Sequence, residues 1–292
     1  MRTEPQVKVQ VSDTDDRVRG YEVDRVDRPS WAPDEVDITR PSVARVYDYY
    51  LGGSHNFEAD RRFAEQVLDA LPEMATVAQA NRSFLRRIVR HLCAQGVTQF
   101  LDLGSGIPTA GNVHEIASAE CTDARVLYVD NDPIAVVHSR ALLDGDDRTE
   151  VLAGDLTRPE QVLEHPLTRA HLDLSRPVAV LLVSVLHFVG DELDPAGIIR
   201  AYADATVPGS HVVITHASDE GGHSGASRAQ NVYNRDQSPN QMRMRSADEV
   251  RTLFGDLELL DPGVVRIPLW RPDSPVGPEG QRYPGLAGVA RH

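Results

Sequence analysis

The sequence predicts an α/β protein built on a doubly wound parallel sheet and preceded by a helical segment. Three observations carry this expectation. From residue 97 onward, apolar runs of strand length alternate with amphipathic helical stretches, the pattern of consecutive βα units. The first apolar run, Gln99-Phe-Leu-Asp-Leu, ends in a glycine turn, Gly104-Ser-Gly106. The run at 178–185 is apolar on both faces, as a central parallel strand must be when helices cover both sides.

The elements follow in order. Residues 1–38 alternate acids, bases and prolines without periodicity and read as a flexible arm. Residues 39–96 read as a helical cap. Val43, Val46, Tyr47, Tyr50 and Leu51 fall at helical spacing until Gly52-Gly53 breaks the run. Phe57, Phe63, Val67, Leu68 and Leu71 form a second run, stopped by Pro72. Phe84, Leu85, Ile88, Val89 and Leu92 form a third, ending at Gly96. Residues 97–292 then form the α/β domain. After the first strand, 110–119 reads as helix and 125–130 as strand. Asp132-Pro133 is a helix start, an N-cap followed by proline at the first helical position. Residues 149–155 give the third strand, 159–165 a short helix, 178–185 the fourth strand, 196–205 a helix and 211–216 the fifth strand. Residues 220–241, rich in Gly, Ser, Asn and Gln, read as a long loop. Ser246-Ala-Asp-Glu249 is a capping box opening a helix through Phe254. Residues 257–267 and 286–291 read as a final strand pair. The prolines between them confine 272–284 to a loop.

Composition narrows the function. With 30 basic and 44 acidic residues the formal net charge is −14, which argues against a nucleic-acid binder and against attachment to anionic lipid. The longest apolar run, 178–189, is too short to span a bilayer. The two cysteines, Cys93 and Cys121, form no CxxC and suit a reducing cytoplasm. No HExxH, nucleophile elbow or P-loop occurs, so zinc, serine and phosphoryl-transfer chemistry lack their motifs. Nothing in the sequence marks an oligomeric state.

The turn Asp102-Leu-Gly104-Ser-Gly106 carries the chemistry. Glycines there let the backbone approach a ligand and leave amides free. It resembles the dinucleotide fingerprint GxGxxG, but Thr109 stands where the third glycine belongs. It also resembles the D/E-x-G-x-G turn of class I S-adenosylmethionine methyltransferases, whose acid precedes the first glycine by two residues. Asp130 ends the second strand, where an acid binds ribose hydroxyls in nucleotide-binding βαβ units. Asp155, followed by Leu156, closes the third strand, placed to accept from an adenine amine or to cap the next helix. The three acids would share the carboxyl edge of the sheet, where open α/β folds bind ligands. Ser184 and His187 end the fourth strand. His187 is a candidate proton acceptor or a packed imidazole.

The segments at 40–53 (RPSVARVYDYYLGG), 80–87 (ANRSFLRR), 99–109 (QFLDLGSGIPT), 111–115 and 128–133 together resemble one family. It is the S-adenosylmethionine-dependent methyltransferase family of high-GC bacteria, long catalogued as a domain of unknown function. The resemblance spans about residues 40–291. It implies a class I methyltransferase fold: a seven-stranded Rossmann-like sheet of order 3-2-1-4-5-7-6 with an antiparallel last strand and an N-terminal helical cap. It also gives the cap a purpose. Asn81-Arg82 is expected to open the helix leading into the first strand, with the Arg82 guanidinium pairing the cofactor's carboxylate. Tyr47, Tyr49 and Tyr50 are expected as core or as a lid. The cofactor set is then Tyr47, Arg82, Asp102, Gly104, Ser105, Gly106, Asp130, Asn131, Asp155, Leu156 and Ser184, with His187 catalytic. The expected activity is methyl transfer from S-adenosyl-L-methionine to an O or N atom of a small-molecule acceptor. A non-catalytic S-adenosylmethionine-binding protein is the alternative, and an NAD-linked oxidoreductase ranks below it.

Overall fold

The computed structural model describes residues 28–29, 32, 36–108, 111–143, 145–220, 222, 224–235 and 241–292. Nearly all of the expected arm, and Thr109 of the turn motif, lie outside the described residues. The arm's described end is packed: Val36 and Ile38 are buried with Phe57, Ile107 and Ile134.

Three helices form the cap: α1 (Val43–Tyr50), α2 (Glu58–Ala70) and α3 (Met74–Ala94). Asp60 ties the first two together. Its fully buried carboxylate accepts from the backbone N–H of Ser42 (2.9 Å) and of Phe57 (2.8 Å), and pairs with Arg45 Nε at 3.1 Å. Asn81-Arg82 does not open the third helix. That helix starts two turns earlier at Met74, because 74–80 is rich in helix-favouring alanine and holds no breaker. Both residues therefore lie inside α3.

The α/β part runs β1 (Gln99–Leu103), α4 (Val113–Glu120), β2 (Arg125–Asp130), α5 (Pro133–Leu142), β3 (Thr149–Ala153), α6 (Pro159–Leu163), α7 (Pro166–His171), β4 (Ala179–Val183), α8 (Pro195–Asp204) and β5 (His211–Ala217). It continues through α9 (Ser224–Tyr233), α10 (Ala247–Leu253), β6 (Glu258–Leu259), β7 (Val265–Arg266) and β8 (Gly285–Arg291). The sheet order is β3-β2-β1-β4-β5-β8-β6, with β7 also paired to β8. Strands β1 to β5 are mutually parallel; β8 is antiparallel to β5, with Val213 opposite Val289.

Side-chain alternation along each strand feeds two cores. Phe100, Leu181, Val213, Ala287 and Val289 pack with Phe84, Ile88 and Leu92 of α3 on one face. Leu101, Leu182, Ile214, Leu286 and Ala290 pack with Ile198, Tyr202 and Leu253 on the other. The central strands are thus buried on both sides, as their unbroken apolar runs predict.

Three elements differ from expectation. Residues 220–241 are not one long loop, since they contain α9. Ala226, Ala229, Val232 and Tyr233 recur at three- and four-residue spacing and are buried, while Arg228 and Asn231 face outward. The buried face packs with Ala64 and Val67 of α2. The short helix expected at 159–165 is α6, and a further helix not expected from the sequence, α7, follows it because Pro166 starts one. The expected strand at 257–267 is split into β6 and β7. Pro262 has no N–H to give the ladder, and Gly263 turns with φ +81°. The sheet consequently has eight strands, while the path through them is the expected one. Among the described residues no helix is long and apolar enough to cross a membrane.

Candidate functional site

A cavity of about 540 Å³ opens at the carboxyl ends of the parallel strands, roofed by α1, α3 and α9. Its walls include Tyr47, Arg82, Asp102, Gly104, Ser105, Gly106, Asp130, Asn131, Asp155, Leu156, Ser184 and His187. All twelve site residues expected from the sequence therefore meet in one place.

The turn after β1 is held by two bonds from its neighbours. Gly104 and Ser105 N–H both donate to Val129 O, at 2.8 and 3.2 Å. Gly104 has φ +72°, and a Cβ there would lie 2.5 Å from Val185 Cγ2, so only glycine fits. Gly106 N–H donates to Asp130 Oδ2 at 2.7 Å, and Asp132 N–H donates to Asp130 Oδ1 at 2.8 Å. Asp130 thus clamps the turn at the end of β2. Asp132 caps α5, accepting from Ile134 and Ala135 N–H, and receives a bond from the Ser42 hydroxyl of the cap.

Two carboxyls here are shifted. Burial pushes Asp102 up to about 7, with Arg82 opposing and Asp130 adding to the rise. Burial likewise raises Asp130 to about 6, against the backbone N–H groups of Asp132 and Gly106, which stabilise the anion. Arg82 is half-buried, so it is not a surface arginine. Its guanidinium lies 5.9 Å from the Tyr47 ring centroid, and its Nε is buried with no protein partner among the described residues. Tyr47 is latched to α3: its hydroxyl donates to Ala78 O (3.3 Å) and accepts from Asn81 Nδ2 (3.1 Å). Of the three expected tyrosines, Tyr47 and Tyr50 line the cavity, whereas Tyr49 packs into the α1–α2–α9 cluster.

Asp155 does cap a turn: its Oδ1 accepts from Thr157 N–H (2.9 Å) and Oγ1 (2.7 Å). Its Oδ2 lies 3.9 Å from Arg158 Nε, and Leu156 beside it is buried. Ser184 sits at φ +59°, a strained conformation for a non-glycine residue, and its N–H donates to Thr215 Oγ1 at 2.8 Å.

Beneath the cavity lies a network that the sequence did not signal. Arg245 is 4% exposed. It donates to His216 Nε2 (2.8 Å), Leu186 O (3.1 Å) and Val189 O (3.0 Å), and pairs with Asp191 at 2.7 Å. His216 Nδ1 therefore carries the ring proton and donates it to Ala217 O at 2.8 Å. The His187 ring is 5.6 Å from that of His216 and 4.4 Å from that of Phe188. Burial, then His216 and Arg245, push His187 well below the usual histidine range; burial lowers His216 to about 4. Both imidazoles are neutral near pH 7. The strand-end position of His216 was the readable clue to its place here. Arg245 gave none, since its partners come from β5 and from the turn after β4, both distant in sequence. Among the described residues no group of three metal-ligating side chains occurs.

A glycine turn clamped by a strand-end acid, at the edge of a 3-2-1-4-5 sheet with an antiparallel strand inserted beside β5, defines a class I methyltransferase. The chain belongs to the S-adenosyl methyltransferase family, which it matches over residues 29–292. It is similar to a Thermobifida fusca YX protein provisionally described as a methyltransferase. The two are 41% identical, with a TM-score of 0.85, covering 90% of this chain and 99% of that one. It is also similar to a DUF574 family protein of Streptomyces avermitilis MA-4680. There the identity is 35% and the TM-score 0.82, covering 87% and 99%. No curated protein of established function matches the chain.

Proposed function

We propose that the protein transfers a methyl group from S-adenosylmethionine to an oxygen or nitrogen atom of a small-molecule acceptor in the cytosol. The observation that carries this reading is the Asp130 clamp on the Gly104–Gly106 turn, in the same cavity wall as Asp102, Asp155 and Arg82. When bound, S-adenosylmethionine supplies a methyl group on a sulfonium, an electrophile with a neutral leaving group.

The residues present fit that cofactor. The unpartnered Arg82 Nε is a donor awaiting an acceptor, and a guanidinium matches a carboxylate bidentately. Each Asp130 oxygen receives one N–H and keeps lone-pair capacity for ribose hydroxyls. Asp155 Oδ2 is left to accept from an amine, with Leu156 as apolar contact for a ring. Asn131 and Ser105 supply further polar contacts, and Tyr47 closes the site above Arg82. The Ser184 conformation turns the chain after β4 toward the cavity.

Positioning supplies most of the rate in such a transfer. His187 is neutral and resists becoming an imidazolium, so it serves best by accepting a hydrogen bond from the acceptor and orienting it. The two free thiols support a reducing compartment. Calorimetry with S-adenosylmethionine, S-adenosylhomocysteine and NAD tests the reading. Binding of the first two is expected. Tight binding of NAD with no response to either would overturn it.

A further inference from the structure

The cavity is divided by charge. Its acidic and basic side chains, Arg82, Asp102, Asp130, Asp132 and Asp155, all belong to the end nearest the glycine turn and the strand ends. The opposite end reaches between the cap and α9, where it is walled by Tyr50, Phe188, Ala229, Tyr233, Met242 and Met244. Among the described residues no ionised side chain lines it. Its two imidazoles, His187 and His216, are neutral, and the cation beneath them, Arg245, is taken up by Asp191 and three further acceptors. The walls are aromatic: the Phe188 and Tyr233 rings stand 5.5 Å apart. The thioethers are flexible and polarisable, which suits them to packing against a flat ring.

We infer that this end is the methyl-acceptor subsite and that it takes an uncharged acceptor with an aromatic or otherwise flat apolar body. An ionised acceptor would enter without a counter-charge, and burying an unpaired charge is strongly unfavourable. A neutral hydroxyl on such a body has the neutral His187 at hand as hydrogen-bond acceptor, with its Nδ1 buried and unpartnered among the described residues. The inference rests on the methyltransferase reading for the identity of the other ligand, but the polarity of the walls is independent of it.

The test uses three probes of one shape, 2-naphthol (neutral), 2-naphthoate (anionic) and 2-naphthylmethylammonium (cationic), titrated calorimetrically at pH 7.5. The protein is first saturated with S-adenosylhomocysteine, which lacks the sulfonium charge, so that discrimination reports the protein walls. Naphthol is expected to bind at least tenfold more tightly than either ion. Equal or tighter binding of an ion overturns the proposal, as does failure of all three to bind. Two variants localise the effect. Ala229→Phe fills the subsite from α9 and is expected to weaken naphthol more than tenfold while leaving the affinity for S-adenosylhomocysteine unchanged. Met244→Lys, at a half-buried and more tolerant position, is expected to move the preference toward naphthoate. Unchanged probe affinities in both variants place naphthol elsewhere and refute the subsite. The series is repeated on protein without S-adenosylhomocysteine. Failure of that ligand to bind would refute the cofactor reading alone, while the charge discrimination would still be measured.

Discussion

Asp130 does two jobs with one carboxylate, and its substitution separates them. It holds the Gly106 and Asp132 N–H groups in the free protein and, on the proposed reading, accepts ribose hydroxyls in the complex. Asp130→Ala is expected to lower cofactor affinity about 10- to 150-fold, the worth of one or so charged hydrogen bonds of about 1.5–3 kcal/mol. Unchanged affinity in calorimetry would return Asp130 to a purely structural role. Arg82→Ala should weaken S-adenosylmethionine more than adenosine, since only the former has a carboxylate; equal losses would reject the pairing. The pH dependence follows from the raised carboxyls. With values of about 7 and 6, Asp102 and Asp130 hold protons in the free site below neutrality. The anion is the stronger acceptor and accepts through both oxygens, so binding at pH 5.5 expels protons and is weaker. Affinity for S-adenosylhomocysteine should rise from pH 5.5 to 8, by up to about tenfold per unit for each carboxyl involved. A flat profile would mean that neither group binds the ligand as a carboxylate anion. Asp102 and Asp130 were legible in the sequence because each sits at a strand end or turn, where position alone assigns a direction, whereas Arg82, inside α3, was reached only through the family resemblance. For His216 the strand end gave the place but not the role, and Arg245 was not legible at all, because the network lies in contacts between β5, the segment after α9 and the turn after β4.

At the scale of elements, strands were read well where both faces are apolar and badly where a strand is two residues long. β4 and β8 are buried along nearly their whole length, so composition alone marks them. β6 and β7 are held by pairing with β8, a partner that local sequence does not announce. Helix α9 escaped because two of its four buried contacts are alanines, whose helical period is faint against Ser, Gln and Asn. The inserted strand makes a firm prediction. Deleting residues 285–292 removes the one strand that β6 and β7 pair with among the described residues and bares the edge of β5. The melting temperature should fall sharply in calorimetric scanning; a variant melting like the full chain would show that β8 adds nothing. The cap offers a second test. Arg45→Ala leaves the fully buried Asp60 carboxylate without its cation, a loss of about 3–5 kcal/mol for a buried pair broken on one side. Denaturant titration should show it as a lower midpoint.

For the whole molecule, the cavity is the meeting place of parts distant in sequence: α1 and α3 from the cap, the strand ends from the sheet, and α9 from beyond it. A ligand spanning the cavity should therefore stabilise all three together. At a hundredfold excess over its dissociation constant, S-adenosylhomocysteine should add about 2.7 kcal/mol. Amide exchange should slow on α1 and α9 as well as on the glycine turn. Protection confined to residues 102–106 would show that the walls move independently of the site.

The inserted strand also sets an order of events at the ribosome. About 70 residues separate the end of β5 from the start of β8. At roughly 5–20 residues per second of synthesis, β5 waits several seconds for its neighbour. Throughout that interval a nascent chain with five strands already made exposes an unpaired edge, open to pairing with another chain. In the finished sheet β8 covers that edge, so the exposure ends once the last strand has docked.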